Sequence, residues 1–276
     1  VDLKATRYAV SDRIATITLA RPHRLNAWTG RMHTEYRWCL EQAENDPAVR
    51  VIVVTGEGRG FCAGADSAAL EGHIEKGGYD PGTPAIMPMP GYGVRPEFDA
   101  TFAFQFGLTK PIIAAINGPA AGVGLVLACF ADLRFAAKGA KLTTAHAKLG
   151  LPAEYGLSWL LPRIVGLTHA NDMLLSSRVV LAEEAASMGL INAVLEPDEL
   201  LPHTYAYAKM LATQVSPASM AATKRQVYTD LHRDAASAVN ESEALLNSMT
   251  REPDYQEGVR AFVEKRPPKF GPPPHR

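Results

Sequence analysis

Two glycine-rich turns carry the chemistry this sequence could support. Cys62-Ala63-Gly64-Ala65-Asp66 precedes one predicted helix, and Gly118-Pro119-Ala120-Ala121-Gly122-Val123-Gly124 precedes another. Glycine lets a backbone approach a ligand, and the N–H groups at a helix start lack intrahelical acceptors. Two such turns facing one carbonyl would form an oxyanion hole, a pair of donors that stabilises charge developing on oxygen. Two tight strand-to-helix turns without a ligand have the same spacing, so the residues alone leave both readings open. A third glycine run, Gly56-Glu57-Gly58-Arg59-Gly60, follows the apolar strand Val51–Thr55. A dinucleotide fingerprint would need its last glycine where Phe61 stands and a long helix opening there, so that reading is set aside.

The elements that must position these turns follow from hydrophobic period. In Arg13–Ala20, Ala15, Ile17 and Leu19 point one way and Thr16 and Thr18 the other, which predicts a strand. Thr29 can cap a helix carrying Met32, Tyr36, Leu40 and Ala43, which Asp46-Pro47 stops. Val51–Thr55 is continuously apolar or β-branched, the pattern of a strand buried on both faces. A short helix is expected over Ala65–Ile74, a Gly- and Pro-rich loop over 77–96, and a strand over Pro111–Ile116. A buried helix follows over Val123–Ala131, then a strand over Leu133–Ala136. Ser158–Leu161 begins a helix before Pro162. Ala182–Met188 reads as a helix stopped by Gly189, and Leu190–Leu195 as a strand. Four helical segments fill Asp198–Lys265, with breaks near Ser216-Pro217, Asp230–Asp234 and Arg251–Pro253. The proline-rich end, Arg266–Arg276, is expected to be extended. Alternating strands and helices over 1–195 indicate an α/β core, with a helical portion over 196–265 and a tail over 266–276.

Composition limits the partners. The 276 residues include 28 basic and 29 acidic side chains, a net charge of −1, which excludes a global nucleic-acid field. No charge occurs from Pro111 to Ala131, yet Asn117-Gly118-Pro119 interrupts that stretch, so no membrane span is expected. Cys39, Cys62 and Cys129 are too few and of odd number for a disulfide framework, which points to a reducing compartment. No secretory n-region and h-region opens the sequence, so a cytoplasmic location is expected. Neither CxxC pairs nor HExxH occur, so no metal is expected.

Read together, the motifs resemble the crotonase superfamily, the enoyl-CoA hydratase/isomerase family. They are Arg21-Pro22 with Leu25-Asn26-Ala27, Val51–Gly56, Phe61–Asp66, Lys110–Gly118, Gly122-Val123-Gly124, Ala131-Asp132, Leu149-Gly150-Leu151, Leu161-Pro162-Arg163, Glu257-Gly258 and Ala261–Arg266. The resemblance implies an α/β fold, a crotonase-like core of stacked ββα turns followed by C-terminal helices, assembled as a homotrimer or a dimer of trimers. It implies an acyl-CoA thioester substrate, with coenzyme A part of that substrate and no separate cofactor. By position the two oxyanion amides belong to Ala65 and Val123; the family usually has glycine at the second place. Arg24, Leu25, Ala27, Ala63 and the run Ala65, Asp66, Ser67, Ala68 would line the CoA arm. Phe262 and Lys265 would help cover it, and Arg24 and Lys265 could oppose its phosphates. Asp132 falls at a structural position.

Removing a proton beside a thioester puts charge on the thioester oxygen, so a base must accompany the two amides. Hydratases of this family hold one water between two glutamates, whose places here are Val126 and His146. Valine cannot take a proton, whereas an imidazole can. Several isomerase-type members carry their acid later in the chain, where this sequence has Glu154 in Leu151-Pro152-Ala153-Glu154-Tyr155-Gly156. The resemblance therefore implies double-bond isomerisation by Glu154. Hydration by His146, with or without Glu154, and non-catalytic thioester binding are the alternatives. Tyr92, Tyr155 and Trp159 are candidates for the acyl pocket. An RNA-binding role, found in one branch of the family, has no lysine-rich helix here to support it.

Overall fold

The computed structural model describes residues 1–76 and 94–274. The chain opens with a hairpin of β1 (Thr6–Ser11) and β2 (Ile14–Leu19), turned by Asp12 and Arg13, both at positive φ. Helix α1 (Gly30–Asn45) begins where Thr29 Oγ1 accepts from the Met32 N–H, and it buries Met32, Tyr36, Leu40 and Ala43. Strand β3 (Val51–Gly56) follows, then α2 (Ser67–Lys76). Next come β4 (Ile112–Ile116), the two-residue β5 (Ala120–Ala121), α3 (Val123–Cys129), β6 (Leu133–Ala137) and β7 (Lys141–Thr143). Helix α4 (Leu157–Ser176), β8 (Val180–Leu181), α5 (Ala182–Ser187) and β9 (Ala193–Leu195) complete the α/β part. The remainder is helical: α6 (Leu200–Gln214), α7 (Pro217–Asp230), α8 (Ala235–Met249) and α9 (Pro253–Glu264).

Six strands form one sheet in the order β1-β2-β3-β4-β6-β9, antiparallel at β1-β2 and parallel elsewhere. A smaller sheet, β5-β7-β8, stands beside it. Central strands are buried on both faces, as the unbroken apolar run of β3 requires. Ile52 and Val54 join the main core with Ile112, Ile17 and Leu19, whereas Val51 and Val53 face Leu200, Ala208 and Ala212 of α6.

Several buried polar residues fix the layers. Glu35 on α1, fully buried, accepts from the backbone N–H groups of Lys4, Ala5 and Thr6 at 2.7–2.8 Å and from Arg31 Nε at 2.7 Å. Asp132 accepts from the Ile112 N–H, Lys224 Nζ and Tyr228 OH at 2.6, 2.8 and 2.8 Å, tying α7 to the core; this is a structural role. Arg50 donates to the carbonyls of Ala212, Phe270 and Gly271, so the tail lies pinned against α6 without regular structure up to residue 274.

The structure departs from the sequence reading at a few points. The exposed face of β1 gives it little periodicity, so the sequence reading misses this strand. The helix that begins before Pro162 runs through it as α4 and kinks at Gly166 (φ 75°) before reaching Ser176, an extent the sequence reading leaves open. The last core strand is shorter than expected, Ala193–Leu195 rather than Leu190–Leu195. The expected loop 77–96 and Tyr92 lie outside the described residues, except for 94–96.

Candidate active site

The two glycine turns meet. Cys62 bridges to Ala120 in parallel fashion, and the Ala121 N–H donates to the Cys62 carbonyl at 3.0 Å. A Cβ on Gly124 would lie 2.1 Å from that same carbonyl oxygen, so only glycine fits. The space opened by this glycine is therefore filled by the neighbouring chain segment, not by a ligand, which corrects the simplest reading of the cluster.

Around this contact, the amides of Ala65 and Val123 are among those left over. Trp28 pairs with Ala65: the Trp28 N–H donates to Gly64 O at 2.7 Å and the Asp66 N–H to Trp28 O at 2.9 Å. That ladder uses the Gly64 carbonyl and the Asp66 N–H, on either side of the Ala65 N–H. Among the described residues, no hydrogen bond engages the N–H of Ala65 or of Val123. Val123 is the first residue of α3, where an N–H has no intrahelical partner. Its side chain is buried in the main core at 4% exposure. Gly122 caps the helix at φ 48° and donates its own N–H to Thr143 O at 3.0 Å.

Glu154 comes to this place from 30 residues further on. A Cβ on Gly122 would lie 3.8 Å from a Glu154 carboxylate oxygen and 3.9 Å from both Ala145 Cβ and Thr144 O. The loop carrying His146 is therefore brought to the same spot. It is held there by a γ-turn, in which the His146 N–H donates to Thr144 O at 2.7 Å across Ala145 at φ 60°. Ser177 fixes the loop from α4, its Oγ contacting Thr144 Oγ1 at 2.9 Å and accepting from the Ala147 N–H at 3.1 Å. His146 is buried and Glu154 half-buried. Burial raises the Glu154 carboxyl above the ordinary glutamate value of 4.5, and the nearby His146 opposes that rise without cancelling it. Among the described residues, no donor hydrogen-bonds this carboxylate.

The residues expected along a CoA arm fall into two groups. Ala65, Ser67, Ala68 and Arg24 are exposed, and Leu25, Ala27 and Ala63 are half-buried. The Ala63 N–H donates to Leu25 O at 3.1 Å, which places these segments side by side. Asp66 is different. It is buried and paired with Arg21 at 2.8 Å. Burial pushes its carboxyl up, but Arg21 and the Ala68 N–H outweigh that and hold it below the usual range. Phe262 is 86% exposed near the end of α9, and Lys265 is exposed just past it.

Two residues quoted only as motif letters prove to be the braces of this site. Asn26, fully buried, accepts from the Arg21 N–H and donates to Glu57 O and Gly60 O. Asn117 accepts from the Gly56 N–H at 3.0 Å and donates to Gly58 O at 2.9 Å. Together they clamp the glycine loop 56–60. Their signal was an asparagine set beside a glycine turn at each end. The three cysteines are free and buried, with thiols pushed up by burial to about 11 or 12, which makes poor nucleophiles. No metal-ligating cluster occurs among the described residues. No described helix is long and apolar enough to cross a membrane.

A sequence profile described as enoyl-CoA hydratase/isomerase matches residues 9–273. The chain is 36% identical over 270 residues to the 1,2-epoxyphenylacetyl-CoA isomerase of Escherichia coli, covering 95% of this chain and 96% of that one. It is 37% identical over 264 residues to a probable enoyl-CoA hydratase of Mycobacterium bovis, covering 93% and 89%. A crystal structure of a probable enoyl-CoA hydratase/isomerase from Mycobacterium abscessus superposes with a TM-score of 0.84 at 30% identity, covering 96% of this chain and 98% of that one.

Proposed function

Because the chain belongs to the enoyl-CoA hydratase/isomerase family, we propose that it moves the double bond of a 3-enoyl-CoA thioester into conjugation, with Glu154 as the single acid/base. The observation that carries this reading is the half-buried Glu154 carboxylate beside Gly122, with a raised pKa and the unengaged Val123 amide on the next residue. The thioester oxygen would rest between the N–H groups of Ala65 and Val123. Glu154 takes a proton from C2, and the C–H electron pair becomes the new C2–C3 double bond. The old C3–C4 electrons accept the same proton back at C4. Charge passes through the thioester oxygen in between, where one preorganised amide contributes about 3 kcal/mol. A raised pKa brings the base nearer to working pH. Water is not consumed, and the apolar Val126 offers it no second carboxylate.

Hydration is the second reading, favoured by one observation: His146 lies close enough for its charge to act on Glu154. A water held between these two groups could add to a 2-enoyl-CoA. We further propose that Arg24, Leu25, Ala27, Ala63, Ser67, Ala68 and Lys265 line the CoA arm, and that Asp66 contributes by holding its backbone in place through Arg21. Val263 and Phe262, 72% and 86% exposed, support assembly as a homotrimer or a dimer of trimers, with α9 covered by a neighbouring copy. Coenzyme A enters as part of the substrate, and a cytoplasmic location is proposed from the free thiols.

Supplying a 3-enoyl-CoA should produce the conjugated-thioester absorbance, and Glu154→Gln should abolish that while thioester binding persists. Unchanged turnover in Glu154→Gln removes Glu154 from the mechanism. Loss of absorbance from a 2-enoyl-CoA selects hydration. Thermal protection by the thioester without either activity selects a binding protein.

A further inference from the structure

Tyr155, the residue after the proposed base, belongs to an aromatic system that runs away from the site. Its ring meets Phe102 edge-on with centroids 5.1 Å apart. It also lines a cavity of about 510 Å³, together with Phe98, Phe106, Phe130, Trp159 and His232. Phe130 follows the last residue of α3, the helix that begins at Val123. Val123, Val126 and Phe130 are spaced i, i+3 and i+7, so they share one helical face. From Val123 to Phe130 that face is apolar and roughly 10 Å long. That face is packed in the core, so α3 sets the distance between the Val123 amide and the cavity, while Tyr155 and Gly156 carry the cavity wall up to the residue after Glu154, where an acyl chain leaving the thioester would meet it.

The cavity walls are built and braced. Phe106 stacks on Tyr228 at 3.7 Å and 15°, and it meets Phe130 at 5.1 Å. Tyr228 is itself held by its hydrogen bond to Asp132. Across the cavity, Trp159 stacks on His232 at 5.3 Å and 10°, and the Arg163 guanidinium covers the indole at 4.2 Å. Fixed ring faces and edges of this kind reward a planar π-system over an aliphatic chain of equal apolar surface.

We infer that the acyl group this enzyme takes carries an aromatic ring, seated among Phe106, Phe130, Tyr155 and Trp159. The inference rests on the proposed anchoring at Val123, but not on Glu154 being the base. The test therefore has a binding arm and a turnover arm. The first compares Kd for 5-phenylpentanoyl-CoA and decanoyl-CoA, saturated thioesters of comparable apolar surface. The second compares kcat/KM for 5-phenylpent-3-enoyl-CoA and dec-3-enoyl-CoA. The aryl thioester should be preferred by about tenfold in binding, and in turnover wherever turnover occurs. Trp159→Ala, at the half-buried rim, should erase most of that preference, weakening the aryl thioester by several-fold more than the decanoyl one. Thermal melting shows that the variant is folded, and Trp159→Phe should restore part of the preference. Equal or reversed affinities in the wild type overturn the inference even if isomerisation is intact. A Trp159→Ala variant that lowers both ligands equally, or that splits an oligomer without changing their ratio, also overturns it, because the cavity is then a subunit contact. Absence of turnover with the aryl affinity preserved sinks the Glu154 reading and leaves this one standing.

Discussion

Two glutamates, one buried and one half-buried, divide this molecule into a part that holds and a part that works. At the outer edge of the sheet, Glu35 is met by three backbone N–H groups, the Thr6 hydroxyl and Arg31, all within 3.0 Å. In the loop before α4, Glu154 has no hydrogen-bond donor among the described residues, and burial raises its pKa. A saturated carboxylate is a fastener: its charge is spoken for, and its geometry pins β1 onto α1. An unsaturated one keeps a free lone pair and a proton affinity nearer neutrality, which proton transfer requires.

That contrast can be broken most directly by Glu154→Gln. It should lower isomerisation by about 10²- to 10⁴-fold, the usual scale for a positioned acid/base, with thioester affinity held within about twofold. Its stability should move the other way. A carboxyl with a raised folded-state pKa contributes stability below its unfolded pKa and loses it as pH rises through the folded value. Near pH 8 the neutral glutamine should therefore melt no lower than wild type, a comparison made by calorimetry. Glu35→Ala should give the opposite pattern, leaving three N–H groups and an Arg without their acceptor. Urea titration should show a loss of about 3 kcal/mol, and the folded fraction should keep its kcat.

His33 sharpens the comparison because it lies between the two regions. It sits on α1 two residues before Glu35, its ring against Trp28 and Phe102, and Phe102 reaches Tyr155. Burial, aided by Arg37, pushes its pKa down to about 4. The folded state then favours the neutral ring. Stability should be complete above about pH 6.5 and fall by up to about 3 kcal/mol as pH drops toward 4. His33→Gln should flatten that slope, and an unchanged slope would show that other groups cause it. The smallest effect concerns the pH profile of kcat/KM. Its acid limb should fall as Glu154 becomes protonated, with a midpoint above 4.5. A midpoint at or below that value would mean a solvated carboxylate, not a poised one.

The holding part was the more legible in sequence. Thr29 as cap, the Met32-Tyr36-Leu40-Ala43 stripe and the doubly buried β3 all follow from local spacing, and local spacing is what formed them. Even the three breaks between α6, α7, α8 and α9 were written in Ser216-Pro217, Asp230–Asp234 and Arg251–Pro253. The working part was legible only through resemblance. Nothing in the spacing of Gly122 and Glu154 announces that they lie side by side, because the chain between them turns back through a γ-turn at Ala145. The length of α4 went unread for a related reason: a helix packed on α3 can lose one internal hydrogen bond at Pro162 and continue, with its kink at Gly166. Glu35 went unread because its partners are backbone amides roughly thirty positions away, which carry no side-chain signature.

The contact between Gly124 and the Cys62 carbonyl has a practical consequence for anyone wishing to redesign this catalyst. The two strands of chain that would cradle the reacting oxygen are wedged together with no slack, so neither can be retuned without dislodging its neighbour. Libraries aimed at new thioesters should leave residues 62–65 and 120–124 untouched and spend their diversity on the rings further along the cavity.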